Sequence, residues 1–277
     1  MPMNSTKVGN FNIYSLSDGY MIFQRDMFFP ELTTEAWKSY PSYSIPEFEM
    51  NIGSFVIAGG DKTILVDTGL GKLDHHIEQP VRETLLSELE TFKLSPDDID
   101  IVFLTHLHLD HVGTNMTKEN GVWKKTFPNA NYMVGKADWE MFNRMVDKPG
   151  FQYIKEQVQP LLATGSLVLF ERKISLIKGV TTIPTPGHTP GHTSLLIESE
   201  GEMAVVIGDA AHIPPQIEQP WWSPSPDQDK KLSAKTRSSL MDFIEKENAL
   251  IASGHFPKPG FGKIIKIDSR RSYKPIT

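Results

Sequence analysis

The chain has 277 residues, 39% of them hydrophobic, which is enough to bury a substantial core in one large domain or two tightly joined repeats. Its formal net charge is −6 and no run of Lys or Arg occurs, so binding to nucleic acid or to an anionic membrane, which needs a basic face, is disfavoured. It contains no cysteine, which excludes disulfides, thiolate metal ligands and a cysteine nucleophile. Residues 1–10 are polar and lack an apolar signal core, and the apolar runs elsewhere fall short of a membrane span. A cytoplasmic protein is therefore expected.

In chain order, residues 11–16 alternate apolar and polar as a half-buried strand does, Asp18-Gly19 signals a turn, and residues 20–23 read as a second strand. Residues 26–50 break the pattern with Phe28, Phe29, Trp37, Tyr40, Tyr43 and Phe48 among prolines 30, 41 and 46. A loop of this length and composition is expected to act as a lid, or to pack over a sheet edge or against another subunit. Residues 52–58 and 63–67 form a hairpin around Gly59-Gly60-Asp61, and its second strand ends in Asp67-Thr68-Gly69. Residues 78–93 carry Val81, Leu85, Leu86, Leu89 and Phe92 at helical spacing. Ser95-Pro96 starts a short helix. Residues 101–104 form a continuous apolar run, the mark of a buried strand.

Further strands are expected at 131–134, 167–171 and 180–183, with helices at 136–146 and 151–162. A hairpin follows at 194–197 and 203–207, then a helix at 229–247 with Leu240, Phe243 and Ile244 inward, and a last strand at 263–267. Hairpins and α/β units alternate in two halves, roughly 1–165 and 166–277, which points to sheets in the middle with helices outside.

The densest chemistry lies at His106-Leu107-His108-Leu109-Asp110-His111, three histidines and an aspartate in six residues, where the buried strand ends. A divalent metal is the simplest reason for such crowding, because imidazole nitrogen and carboxylate oxygen are good ligands for it. Three more strand-like runs end in candidate ligands, His188, Asp209 and His255, each beside glycine or proline.

This ordered set resembles the metallo-β-lactamase superfamily. The residues that carry the resemblance are His106-x-His108-x-Asp110-His111, then His188, Asp209 and His255, with Asp67 in Val-Asp-Thr-Gly. The resemblance implies an αββα sandwich, two central mixed β-sheets flanked by helices, in a single domain over 1–277. The runs His-Leu-His-Leu-Asp-His-Val-Gly at 106–113, Thr-Pro-Gly-His-Thr-Pro-Gly-His at 185–192 and Gly-Asp-Ala at 208–210 look most like N-acyl homoserine lactonases, with the methyl-parathion-hydrolase branch also similar. By this likeness His106, His108 and His188 bind a first metal, Asp110, His111 and His255 a second, and Asp209 bridges them. Two Zn²⁺ are implied, with Fe, Mn or Co fitting the same ligands. The paired ions would share a hydroxide that opens an acyl lactone, Asp110 would pass a proton to the leaving oxygen, and Asp67 would orient a ligand imidazole.

The resembled lactonases place a tyrosine shortly after the bridging aspartate, and this chain has none between His188 and His255. His212 is the nearest polar candidate to replace it as a catalytic donor, against a reading as a solvent-facing or supporting histidine. His192 reads as structural, and His75 and His76 carry no ligand pattern. Met21, Phe23, Phe28, Phe29, Trp221 and Trp222 are candidates for an apolar substrate wall. The expected partner is a small acyl lactone or ester, with no nucleic acid and no membrane. The resemblance also implies a homodimer contact through these loops. Organophosphate triesters and aryl esters are the rival substrates, and a non-catalytic binding role is disfavoured by the complete ligand set.

Overall fold

The computed structural model describes residues 4–72, 84–268 and 270–276. The strands are β1 (Ser5–Val8), β2 (Phe11–Gln24), β3 (Glu47–Ala58), β4 (Ile64–Val66), β5 (Ile101–Phe103), β6 (Met116–Glu119), β7 (Val122–Lys125), β8 (Asn131–Gly135), β9 (Leu167–Phe170), β10 (Ser175–Ile177), β11 (Val180–Pro184), β12 (Thr193–Ser199), β13 (Glu202–Val206), β14 (Leu250–Ala252), β15 (Phe261–Ile267) and β16 (Arg270–Pro275). The helices are α1 (Arg25–Phe28), α2 (Thr34–Trp37), α3 (Leu85–Thr91), α4 (Leu109–Val112), α5 (Lys136–Met145), α6 (Tyr153–Gln157), α7 (Gln159–Ala163), α8 (Pro215–Glu218) and α9 (Lys230–Lys246).

Two seven-stranded sheets form, in the orders β1-β2-β3-β4-β5-β8-β9 and β10-β11-β12-β13-β14-β15-β16, and β6-β7 is a separate hairpin. Both large sheets are mixed. The first turns parallel from β4 through β9, and the second is antiparallel except for β13 against β14. Strand alternation explains the layering. Ile101 and Phe103 of β5 face the core between the sheets, where Leu195, Ile197, Ala204 and Val206 meet them from the second sheet. Val102 points the other way, under Phe142 and Ile154 from the outer helices. Val205 and Ile251 likewise point outward, onto Leu240, Met241 and Ile244 of α9. The result is helix, sheet, sheet, helix, the expected αββα sandwich.

Several local expectations need correction. Asp18-Gly19 is no turn, because residues 11–24 are one strand with a bulge between Ser17 and Tyr20. The bulge turns the Asp18 carboxylate inward, where it accepts N–H bonds from Leu70, Gly71, Thr84 and Leu85. The helix expected at 151–162 breaks at Val158, just before Pro160, whose ring and missing N–H interrupt the ladder. In the helix expected at 78–93, residues 78–83, Val81 included, lie outside the described residues, and the helix is seen over Leu85–Thr91. His75 and His76 also lie outside them.

The aromatic stretch 26–50 packs inward. Phe28, Phe29, Trp37, Phe48 and Met50 form one buried cluster with Ile213 and Trp222 from the segment after Asp209.

Candidate metal centre

The candidate residues follow the C-terminal ends of β4, β5, β11, β13 and β14, which brings them to one edge of the sandwich. β4 and β5 are parallel, as are β13 and β14, so each pair of ends exits on the same side. The Thr193 N–H donates to the Thr105 carbonyl at 2.9 Å and joins the edges of the two sheets here. All seven histidines among the described residues gather at this edge, each with its ring beside another histidine ring.

Two sets of donors form. In the first, His108 Nδ1 lies 2.9 Å from both His106 Nε2 and His188 Nε2. Asp209 Oδ2 closes it at 3.6 Å from His106 Nε2 and 3.2 Å from His188 Nε2. In the second, Asp110 Oδ2 lies 3.7 Å from His111 Nε2 and 3.6 Å from His255 Nε2. Asp209 Oδ1 reaches the same two nitrogens at 3.3 and 3.1 Å. One carboxylate thus reaches both sets, Oδ2 facing the first and Oδ1 the second, with Oδ2 also 3.2 Å from His255 Nε2.

The outward ring nitrogens settle which way the lone pairs point. His111 Nδ1 lies 2.8 Å from Asp67 Oδ2, His188 Nδ1 2.9 Å from Asp227 Oδ1, and His255 Nδ1 2.9 Å from the Asn51 carbonyl. Carboxylates and carbonyls only accept, so each Nδ1 carries a proton and each Nε2 points inward, where a bound ion would take its lone pair in place of a second proton. His106 behaves alike, since Thr105 Oγ1 donates to Asp67 Oδ2 and therefore accepts from His106 Nδ1 at 3.1 Å. Converging lone pairs repel unless a cation lies among them. His111 Nε2 and Asp209 Oδ1, moreover, are buried without a hydrogen-bond partner among the described residues. The donors fit divalent metal ions, and nitrogen with oxygen is the ligand chemistry of zinc and its neighbours.

Burial and neighbours tune the site. Burial, with the positive potential of His111, holds His106 well below the ordinary histidine range, and burial with His188 does the same to His108. Burial would lower His188 too, but Asp209 and Asp227 outweigh it and hold it up at about 9.

Asp67 sits in the left-handed region at φ 59°, and its carboxylate also accepts the Thr105 N–H at 2.7 Å. Gly208 needs φ 52°, and a Cβ there would lie 2.6 Å from His192 Nε2. That nitrogen accepts the Asp209 N–H at 2.9 Å, so His192 holds the backbone of the central carboxylate.

His212 lies inside the site. It is 1% exposed, its Nε2 is 3.2 Å from Asp209 Oδ2, and its ring stacks on His255 at 5.5 Å. Neither ring nitrogen has a hydrogen-bond partner among the described residues. Asp209, His212 and His255 also form a third donor group close enough for a metal. Burial holds the His212 pKa down at about 4, which keeps the ring neutral.

Of the proposed apolar wall, Phe28 meets the site, its ring edge-on to His212 at 5.5 Å. Phe29 and Trp222 are packed within the aromatic cluster, Met21 and Phe23 lie against it, and Trp221 is exposed.

Sequence reasoning missed Asp227, Arg237 and Asn51. Asp227 sits in a proline-rich loop with no ligand spacing, and Asn51 contributes only a carbonyl. A signal did exist for Arg237. It shares a helical stripe with Ser233, Leu240, Met241 and Ile244, where an arginine has no apolar reason to be.

Residues 51–255 match the profile of the metallo-β-lactamase superfamily. An N-acyl homoserine lactonase of Bacillus sp is 28% identical over 174 residues, 62% of this chain and 62% of that protein, so less than two thirds of its length is covered. The crystal structure of a hydrolase of the β-lactamase superfamily, AbOPH, superposes with a TM-score of 0.85 at 26% identity, over 99% of this chain and 97% of that one. AidC, a dizinc quorum-quenching lactonase in complex with a product, has the same fold at a TM-score of 0.82 and 23% identity, over 99% and 97% of the two chains.

Proposed function

The chain belongs to the metallo-β-lactamase superfamily, and we propose that it is a dinuclear-metal hydrolase that opens the lactone ring of N-acyl homoserine lactones. The observation that carries this reading is the Asp209 carboxylate, which lies between two histidine-rich donor sets and reaches both. The lactonase relatives supply the substrate class.

In this reading His106, His108 and His188 hold one ion, Asp110, His111 and His255 hold the other, and Asp209 lies between. Two divalent ions there, zinc by preference, would lower the pKa of water and polarise the lactone carbonyl. The remaining work falls to side chains. Asp110, the most accessible of the carboxylates in the two sets, takes a proton as the water oxygen bonds to the carbonyl carbon. It returns that proton to the ring oxygen as the C–O bond breaks. Neutral His212 donates a hydrogen bond to the substrate, in the role a tyrosine holds in the resembled lactonases. Phe28 offers an apolar surface beside it for the acyl chain.

The test is a rate panel on metal-replete protein, setting acyl homoserine lactones of several chain lengths against paraoxon and an aryl ester. Lactone kcat/KM is expected to exceed the others by more than tenfold. Lactone turnover no faster than paraoxon turnover would overturn the assignment in favour of a phosphotriesterase.

A further inference from the structure

Asp227 and Arg237 form an ion pair with both side chains 0% exposed, at 3.1 Å from Nη2 to Oδ2. A buried pair of this kind is costly to desolvate and is weak evidence for stability in itself. What sets this pair apart is where its second carboxylate oxygen goes. Asp227 Oδ1 accepts from Nδ1 of His188, the histidine whose Nε2 faces Asp209. Arg237 is the anchor behind it. Its remaining donors go to the carbonyls of Ala210, Pro220 and Trp222 and to Ser233 Oγ. One guanidinium therefore fixes the residue after Asp209, the loop that carries Asp227 and the start of α9.

The second donor set has a different carboxylate, Asp67, directly on His111 Nδ1, and that carboxylate reaches the first set only indirectly, through Thr105 Oγ1 to His106 Nδ1. The two supports share no atom. Asp67 is held by Thr105 just after β5, and Asp227 by Arg237 of α9.

Resting on the dinuclear reading above, we infer that Asp227 backed by Arg237 is a positioning pair that sets the affinity of the first metal position alone, while Asp67, which bonds His111 directly and reaches His106 only through Thr105, acts chiefly on the second. The carboxylate locks His188 as the Nδ1–H tautomer and raises the basicity of its Nε2. Asn at 227 cannot accept from both His188 and Arg237, since one side of an amide only donates.

The experiment titrates metal-free protein with Co²⁺, followed by visible absorption and chelator competition. Wild type is expected to show two binding events. Asp227→Asn should weaken one of them by about 10- to 100-fold and leave the other within about threefold, and Asp67→Asn should weaken the opposite one more strongly. Wild type binding fewer than two ions would sink the dinuclear reading itself. Two wild-type events with Asp227→Asn weakening both alike, neither, or the one that Asp67→Asn weakens more would overturn this inference and leave the dinuclear reading standing. Should Asp227→Asn fail to fold, nitrogen-correlated NMR of the zinc-loaded wild type decides. A slowly exchanging, downfield Nδ1–H on His188 supports the pair, and an Nε2–H tautomer there overturns it.

Discussion

His212 shows how much one side chain's surroundings decide. From its position three residues after Asp209 it reads equally as a surface or a substrate-facing histidine. In the structure it is buried against His255 and Phe28, with Nε2 beside Asp209 and neither nitrogen hydrogen-bonded among the described residues. Burial keeps it neutral, so it can donate one hydrogen bond without bringing charge. Loss of a donor that acts in the transition state costs well over 1 kcal/mol, on the order of 10- to 1,000-fold in rate. His212→Ala is accordingly expected to lower kcat/KM by at least about tenfold while metal content stays at the wild-type value. A change within about twofold would remove the donor role, and a fall in bound metal would make His212 a ligand instead.

The elements that carry these residues owe their form to local chemistry. α9 starts where the Asp229 side chain accepts the Leu232 N–H at 2.9 Å, an N-cap that satisfies one of the free amides of the first turn. The helix then lays Leu240, Met241 and Ile244 on the second sheet and delivers Arg237 to the Asp227 loop. Asp229→Ala should cost about 1 kcal/mol, read as a melting temperature lower by about 2 °C. Because Asp229 touches the site through its backbone alone, the variant's turnover is expected to match wild type. A melting temperature unchanged within error would show that the cap contributes nothing. β5 shows the same economy, since its alternating faces serve two cores before the chain turns into the histidine motif.

At the scale of the whole molecule, Asp138 ties the two halves together. Its Oδ2 accepts the Leu107 N–H at 3.0 Å, within the motif after β5, and its Oδ1 accepts the Gly191 N–H at 2.7 Å, in the loop before β12. Burial pushes its carboxyl up to about 6, against the pull of those amides. The native protein therefore keeps this proton up to about pH 6, whereas the unfolded chain releases it near pH 4. A raised folded-state pKa means that stability from this group is present at low pH and falls as pH rises through that window. Asn at 138 does not titrate. In metal-free protein the stability of Asp138→Asn relative to wild type is thus expected to improve between about pH 4 and 6. Thermal melts across that range check it, and a flat difference would show that the proton is not held.

Local physics made much of this legible without coordinates. The continuous apolar run at 101–104, the hairpin at 194–207 and the amphipathic helix at 229–247 follow from periodicity, which acts over a few residues. The ligand types at 106–111, 188, 209 and 255 follow from the demand of a metal for imidazole and carboxylate. The bulge at Asp18 and the strands β1, β6, β7, β10 and β16 escaped, because pairing partners rather than their own pattern make them strands. The supports of the site escaped for the same reason. Asn51 meets His255 across 204 positions, and Asp227 meets His188 across 39. Sequence by itself determined the layers and the chemistry of the donors. Only the tertiary structure decided which oxygen of Asp209 faces which set, which nitrogen of each histidine points inward and that His212 lies buried beside them. These depend on distances between distant segments, and those distances exist only once both sheets have closed on their common core.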